Sequence, residues 1–210
     1  MLLTGWRPSR KNWMLTPLEV LAQHLSSLQC AKVGVDIWTP NCSSLHGYKY
    51  VISFIDHHSS YLYVYLMQQK SQAYKGLTSF LHFCRQHRLD PQCFRLDNDK
   101  CFKADNFTSK CSAAGILLEL SSPHSPHQNG LIGRTWRTLA ESTFTMMETN
   151  GLLPDFWEYA VQTVAYLHNR TWRSSFNGIP YHIISYLANT MTLITYVFGC
   201  PVWGVLPASQ

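Results

Sequence analysis

Charge is scarce in this chain: 14% of its 210 residues are charged, and the 12 carboxylates are outnumbered by 17 Lys and Arg. The net charge of +5 excludes a strongly acidic protein and is compatible with a polyanionic partner, though many ordinary domains carry as much. The seven cysteines form no C-x-x-C pair, which argues against a disulfide framework or a closed zinc site and for reduced thiols. Long apolar runs are missing too. The most apolar late stretch, "LITYVFGCPVWGVL", is too short and too interrupted by Gly and Pro to cross a bilayer. The opening "MLLTGWRPSRKNWMLTPLE" breaks its apolar residues with Arg, Lys, Asn and Trp, so it does not read as a secretory signal. The expected location is nuclear or cytoplasmic, and the triplets at Asn41, Asn106 and Asn169 then carry no weight as glycosylation acceptors. There is no internal repeat and no low-complexity tract.

What is present is apolar content near half, with 13% aromatics, in a length that suits one domain. "KVGVDIWTP", "YKYVISFID" and "SYLYVYLM" read as three strands in a meander. From Ser71, the residues Ala73, Leu77, Phe80, Leu81 and Cys84 fall on one helical face, ending near Arg88 before "LDPQ". "QCFRLDND" is a fourth strand, Phe102 to Ala113 a helix stopped near Gly115, and "ILLEL" a fifth strand. A long helix with Ile132, Trp136, Leu139, Thr143 and Met147 on one face follows, then another from Pro154 to about Arg170. The order β-β-β-α-β-α-β-α-α implies an α/β protein with a mixed five-stranded sheet flanked by helices, the arrangement of the ribonuclease H-like fold.

In that arrangement the first and fourth strands adjoin, which sets Asp36 beside Asp97. Two carboxylates that close need a proton or a hard divalent cation between them. The plainer alternative leaves Asp36 paired with a Lys or Arg and Asp97 capping a turn or a helix. Asp56, Asp99, Asp105 and Glu119 read as turn or surface carboxylates, and the scattered histidines lack metal-ligand spacing.

Taken together and in order, "VGVDIWTP", "GYKYVISFIDHHSSYLYVYLMQQKS", "FRLDNDKCF", "SPHQNGLIGRTWRTLAE", "LPDFWEYAVQTVAYLHNR" and "VFGC" resemble the integrase catalytic core of copia-type retrotransposon polyproteins. The resemblance runs from about residue 33 to 200. It implies DNA integration by a polynucleotidyl transferase whose Asp, Asp, Glu triad holds Mg²⁺ or Mn²⁺, with thirty-five residues between the second and third members. It assigns Asp36 and Asp97 as catalytic and metal-binding. Counting on from Asp97, the third position is Gly133, followed by Arg134 where the family also has arginine. The register is intact and the carboxylate is missing, so weak binding of a single metal and an inactive or strongly impaired enzyme are expected.

Lys100, Lys103, Asn129, Arg134 and Arg137 are the expected nucleic-acid contacts. DNA is the expected partner and a homodimer an open possibility, with no membrane and no small-molecule substrate. Residues 1–32 are expected to be an unassigned extension, 33–172 the core-like domain and 173–210 a C-terminal extension. A non-catalytic nucleic-acid-binding or protein-interaction domain on the same fold is the alternative.

Overall fold

The computed structural model describes residues 30–120, 130–174, 178–184 and 198–199. Its strands are β1 (Lys32–Trp38), β2 (Tyr50–Asp56), β3 (Leu62–Met67), β4 (Cys93–Leu96) and β5 (Leu117–Leu120). The α-helices are α1 (Ala73–Gln86), α2 (Asp105–Ala113), α3 (Gly130–Thr149), α4 (Trp157–Arg170) and a short α5 (Pro180–Ile184) that periodicity had not suggested. The strands form one sheet in the order β3-β2-β1-β4-β5. β1 pairs antiparallel with β2 and parallel with β4, so the sheet is mixed, as the element order implies.

Strand alternation sorts the core into two layers. Val33 and Val35 of β1, Ile52 and Phe54 of β2, and Phe94 and Leu96 of β4 join a buried cluster with Leu77, Phe80 and Cys84 of α1 and Phe107 and Cys111 of α2. On the opposite face, Val51, Ile55 and Leu62 pack with Trp136, Leu139 and Met147 of α3 and with Trp157, Ala160 and Val161 of α4. Trp38 holds this second layer to β1: its ring lies 5.7 Å from that of Trp136 and 5.9 Å from that of Trp157. Packing also runs past residue 172, since Ile184 is buried in the first cluster.

Two helices start differently from their apolar pattern. The first opens as a 3-10 turn (Lys70–Gln72) before becoming α-helical at Ala73. The second is split. Asp99 accepts a hydrogen bond from the Cys101 amide and starts a 3-10 turn (Lys100–Lys103), and extended Ala104 then separates it from α2. Phe102 and Phe107, fully buried on either side of the break with rings 5.3 Å apart, account for the helix-like spacing.

Gly76 sets how close α1 can lie to the sheet. A Cβ there would stand 2.6 Å from Cγ2 of Ile52, a methyl on a stiff β-branched side chain. Gly76→Ala gains about 1 kcal/mol of helix propensity but must push the helix off β2, which costs about 1–3 kcal/mol. The expected net result is a lower urea midpoint. An unchanged or higher midpoint would show that α1 shifts freely.

Candidate active site

The C-terminal ends of β1, β3 and β4 come together at one end of the sheet. β1 runs parallel to β4, with Val35 opposite Leu96, so Asp36 and Asp97 lie one residue beyond the last registered pair, side by side. Asp36 shares its strand face with Trp38 and therefore looks toward the α3 and α4 layer. Its Oδ1 accepts the Ile37 amide at 2.7 Å. Asp97 Oδ1 accepts the Asp99 amide at 3.1 Å, so the turn-capping role expected of it is present alongside its place next to Asp36.

Burial pushes Asp36 up to about 6. The Ile37 amide opposes the rise, the charges of Asp97 and Asp99 add to it, and Lys70 offsets part of it. A carboxylate in this position is poorly compensated by the protein itself. Two adjoining carboxylates short of positive charge form a donor set suited to a hard divalent cation. Among the described residues, no group of three or more His, Cys, Asp or Glu is placed to hold a metal.

Lys70 is the functional candidate that sequence reasoning missed. Its Nζ lies 2.6 Å from Asp99 Oδ2 and 5.8 Å from the centre of the Tyr50 ring. Although partial burial works against it, this pairing holds Asp99 below the usual carboxylate range. The available signal was topological: a lysine three residues after β3 must fall at the same sheet end as the close of β1. Asp99 is thus engaged by Lys70 and the Cys101 amide. Glu119 is engaged as well, by Lys32 at 2.7 Å and Arg95 at 3.1 Å; Lys32 chiefly, with the Cys93 thiol, holds it down to about 2.

Asp56 is a turn carboxylate, as expected, but not a surface one. It is buried and accepts the amides of Cys30, His58 and Ser59 and the Ser59 hydroxyl, closing the β2–β3 turn. Asn169 is buried too, with both ends of its amide bonded to the backbone of Leu62.

Gly133 lies in the first turn of α3, three residues before Trp136, which packs on Trp38. It is exposed, and a Cβ there would meet nothing within 4 Å. Unlike Gly76, it makes no close approach that demands glycine. Lys100 and Lys103 are exposed on the turn after Asp97, and Arg134 and Arg137 are exposed on α3. Asn129 lies outside the described residues.

Known proteins match this arrangement at three levels. The family profile described as "Integrase core domain" matches residues 31–126, a span that includes Asp36 and Asp97. The Retrovirus-related Pol polyprotein from transposon TNT 1-94 of Nicotiana tabacum is 35% identical over 174 residues, 80% of this chain. That from transposon RE1 of Arabidopsis thaliana is 31% identical over 137 residues, 64% of this chain. The chain spans 13% of the first of these polyproteins and 9% of the second.

Among solved structures, the HTLV-2 integrase catalytic core domain in complex with magnesium, in trimeric form, aligns with a TM-score of 0.57 at 15% identity. It covers 74% of this chain and 97% of that one. The simian T-cell lymphotropic virus intasome aligns at 0.61 and 16% identity over 86% of this chain and 60% of that one. At such identities the structural likeness establishes the ribonuclease H-like fold of integrase catalytic cores. Joined to the sequence matches, it means that the chain belongs to the integrase core family, in the form carried by retrotransposon Pol polyproteins.

Proposed function

We propose that this core-like domain binds DNA across the sheet end that carries Asp36 and Asp97, and that its catalysis is strongly impaired because position 133 lacks a carboxylate. The observation that supports this reading best is the pair of adjoining carboxylates at the ends of β1 and β4, with thirty-five residues separating the second from Gly133 at the start of α3. The Asp36 and Asp97 oxygens would hold Mg²⁺ or Mn²⁺, as the magnesium in the HTLV-2 relative suggests. Bound there, the ion supplies Lewis-acid stabilisation to a phosphodiester under attack.

The remaining roles belong to the protein's own side chains. Lys70 keeps Asp99 turned to itself, and the exposed Lys100, Lys103, Arg134 and Arg137 flank the carboxylates as phosphate contacts, with Asn129 proposed as a further one. None of these forms a base-reading motif, so binding is sequence-blind. Self-association belongs to the same reading, since the HTLV-2 core occurs in both trimeric and dimeric forms.

The test is a DNA-binding isotherm followed through salt. Four phosphate contacts give a log–log slope near −3.6, so affinity should fall about a hundredfold between 50 and 200 mM salt, to micromolar or weaker. Removing Lys103 or Arg137 should lower the slope by about one each. Affinity that ignores salt, or strongly prefers one sequence, would contradict the proposal.

A further inference from the structure

Lys70, Lys100 and Lys103 lie at the sheet end that carries Asp36 and Asp97, but they differ in availability. Lys100 and Lys103 are exposed on the turn after Asp97 and make no ion pair among the described residues. Lys70, which opens the 3-10 turn before α1, is occupied: its Nζ donates to Asp99 Oδ2 at 2.6 Å. An ammonium has three protons to donate, and this contact uses one. The Lys70 side chain is 42% exposed, so the group can be reached from outside.

Asp99 is the more firmly held partner. Its Oδ1 accepts the Cys101 amide at 3.1 Å as the cap of the turn, and its own amide donates to Asp97 Oδ1 at 3.1 Å. The Cys101 thiol bonds to the same carboxylate. Asp99 therefore presents one anionic oxygen to Lys70 from a fixed position, much as a bound phosphate would. Partly exposed ion pairs contribute little net stability, so a better placed anion can exchange for the carboxylate.

We propose that Lys70 is a phosphate contact occluded by Asp99: the carboxylate occupies the ammonium in the free protein, and a DNA phosphate arriving beside Asp36 and Asp97 takes its place. The proposal rests on the DNA-binding reading and adds to it a self-contact that weakens the grip on DNA. In the exchange Lys70 gains a phosphate, while Asp99 loses its cation and recruits another from solution. The two changes in bound ions offset each other, so the slope near −3.6 expected from Lys100, Lys103, Arg134 and Arg137 stands for the parent chain. Removing the carboxylate should reveal the fifth contact.

The test is a double-mutant cycle on the salt dependence of binding to a short duplex of mixed sequence, with the parent chain, Asp99→Asn, Lys70→Met and the double variant. Asparagine caps helical turns as well as aspartate does, so the Cys101 amide keeps its acceptor and the fold is retained. Asp99→Asn should steepen the log–log slope by about 0.9, to about −4.5, and tighten binding at 50 mM salt about tenfold. Asp99→Ser, with another capping residue, should behave alike. Lys70→Met should keep the parent's slope, and the double variant, with no ammonium to release, should share it. An Asp99→Asn slope equal to the parent's would overturn the proposal. So would a double variant as steep as Asp99→Asn, which would trace the gain to a lost negative charge on the DNA face and not to Lys70. A parent whose affinity ignores salt would overturn the DNA-binding reading and this proposal together.

Discussion

Gly133→Glu is expected to raise strand transfer or disintegration on a branched DNA substrate by about a hundredfold or more over the parent chain. Metal stabilisation of a phosphoryl transition state is worth several kcal/mol, and each 1.4 kcal/mol is tenfold. The new side chain has room, because a Cβ at 133 meets nothing within 4 Å. Its helix gains as well, by about 1 kcal/mol for replacing an exposed glycine. The stabilities of the two proteins therefore separate a helix effect from a site effect. Thr138→Glu, exposed on another side of α3, should gain neither metal nor activity. Activity should stay below that of an intact triad, because Asp99, beside the two carboxylates, is tied to Lys70. A folded, DNA-binding Gly133→Glu with the parent's activity would show that position 133 does not face the carboxylates.

The second large effect is the loss, in mild acid, of the stability that neutral His168 contributes. His168 is buried in α4, with Nε2 3.0 Å from Ser60 O and Nδ1 2.7 Å from Nη2 of Arg173. Arg173 can only donate, so Nδ1 accepts, and the ring is neutral with its proton on Nε2. Burial, aided by the Arg173 charge and opposed by the Ser60 carbonyl, brings its pKa down from 6.5 to about 4. Between those values the unfolded chain binds a proton at this ring that the native chain does not, so the histidine's contribution to stability falls as pH drops from about 6.5 to about 4 and then levels off. The full span corresponds to about 3 kcal/mol.

Asp36 acts in the opposite sense. Its pKa is raised from 3.8 to about 6, so the native chain is the better proton binder there and stability rises as pH falls through that window. Comparison with His168→Gln isolates the histidine: urea midpoints should converge or cross as pH falls from 7.5 to 4.5. Parallel curves would mean that His168 is not held neutral.

Much of the fold was legible because its strands are short apolar runs and its helices carry one clean apolar stripe. Trp136, Leu139, Thr143 and Met147 are all buried at the spacing that suggested α3. The adjacency of Asp36 and Asp97 follows from element order, since three meandering strands and a crossover leave β4 beside β1. What periodicity could not show depends on single side chains acting across long sequence distances. Lys70 meets Asp99 29 residues away, and Asn169 plugs an edge strand 107 residues away. Likewise, the 3-10 turn at Lys100–Lys103 depends on one capping carboxylate, and Phe102 and Phe107 hide the break at Ala104 behind helical spacing.

The most direct test of the two-carboxylate site is a Mn²⁺ titration, read by calorimetry or electron paramagnetic resonance, of the parent chain, Asp97→Asn and Gly133→Glu. The account predicts a single weak site in the parent, its loss in Asp97→Asn and a second ion in Gly133→Glu. A parent that takes up no Mn²⁺, or a Gly133→Glu variant that takes up no more than the parent, would contradict it.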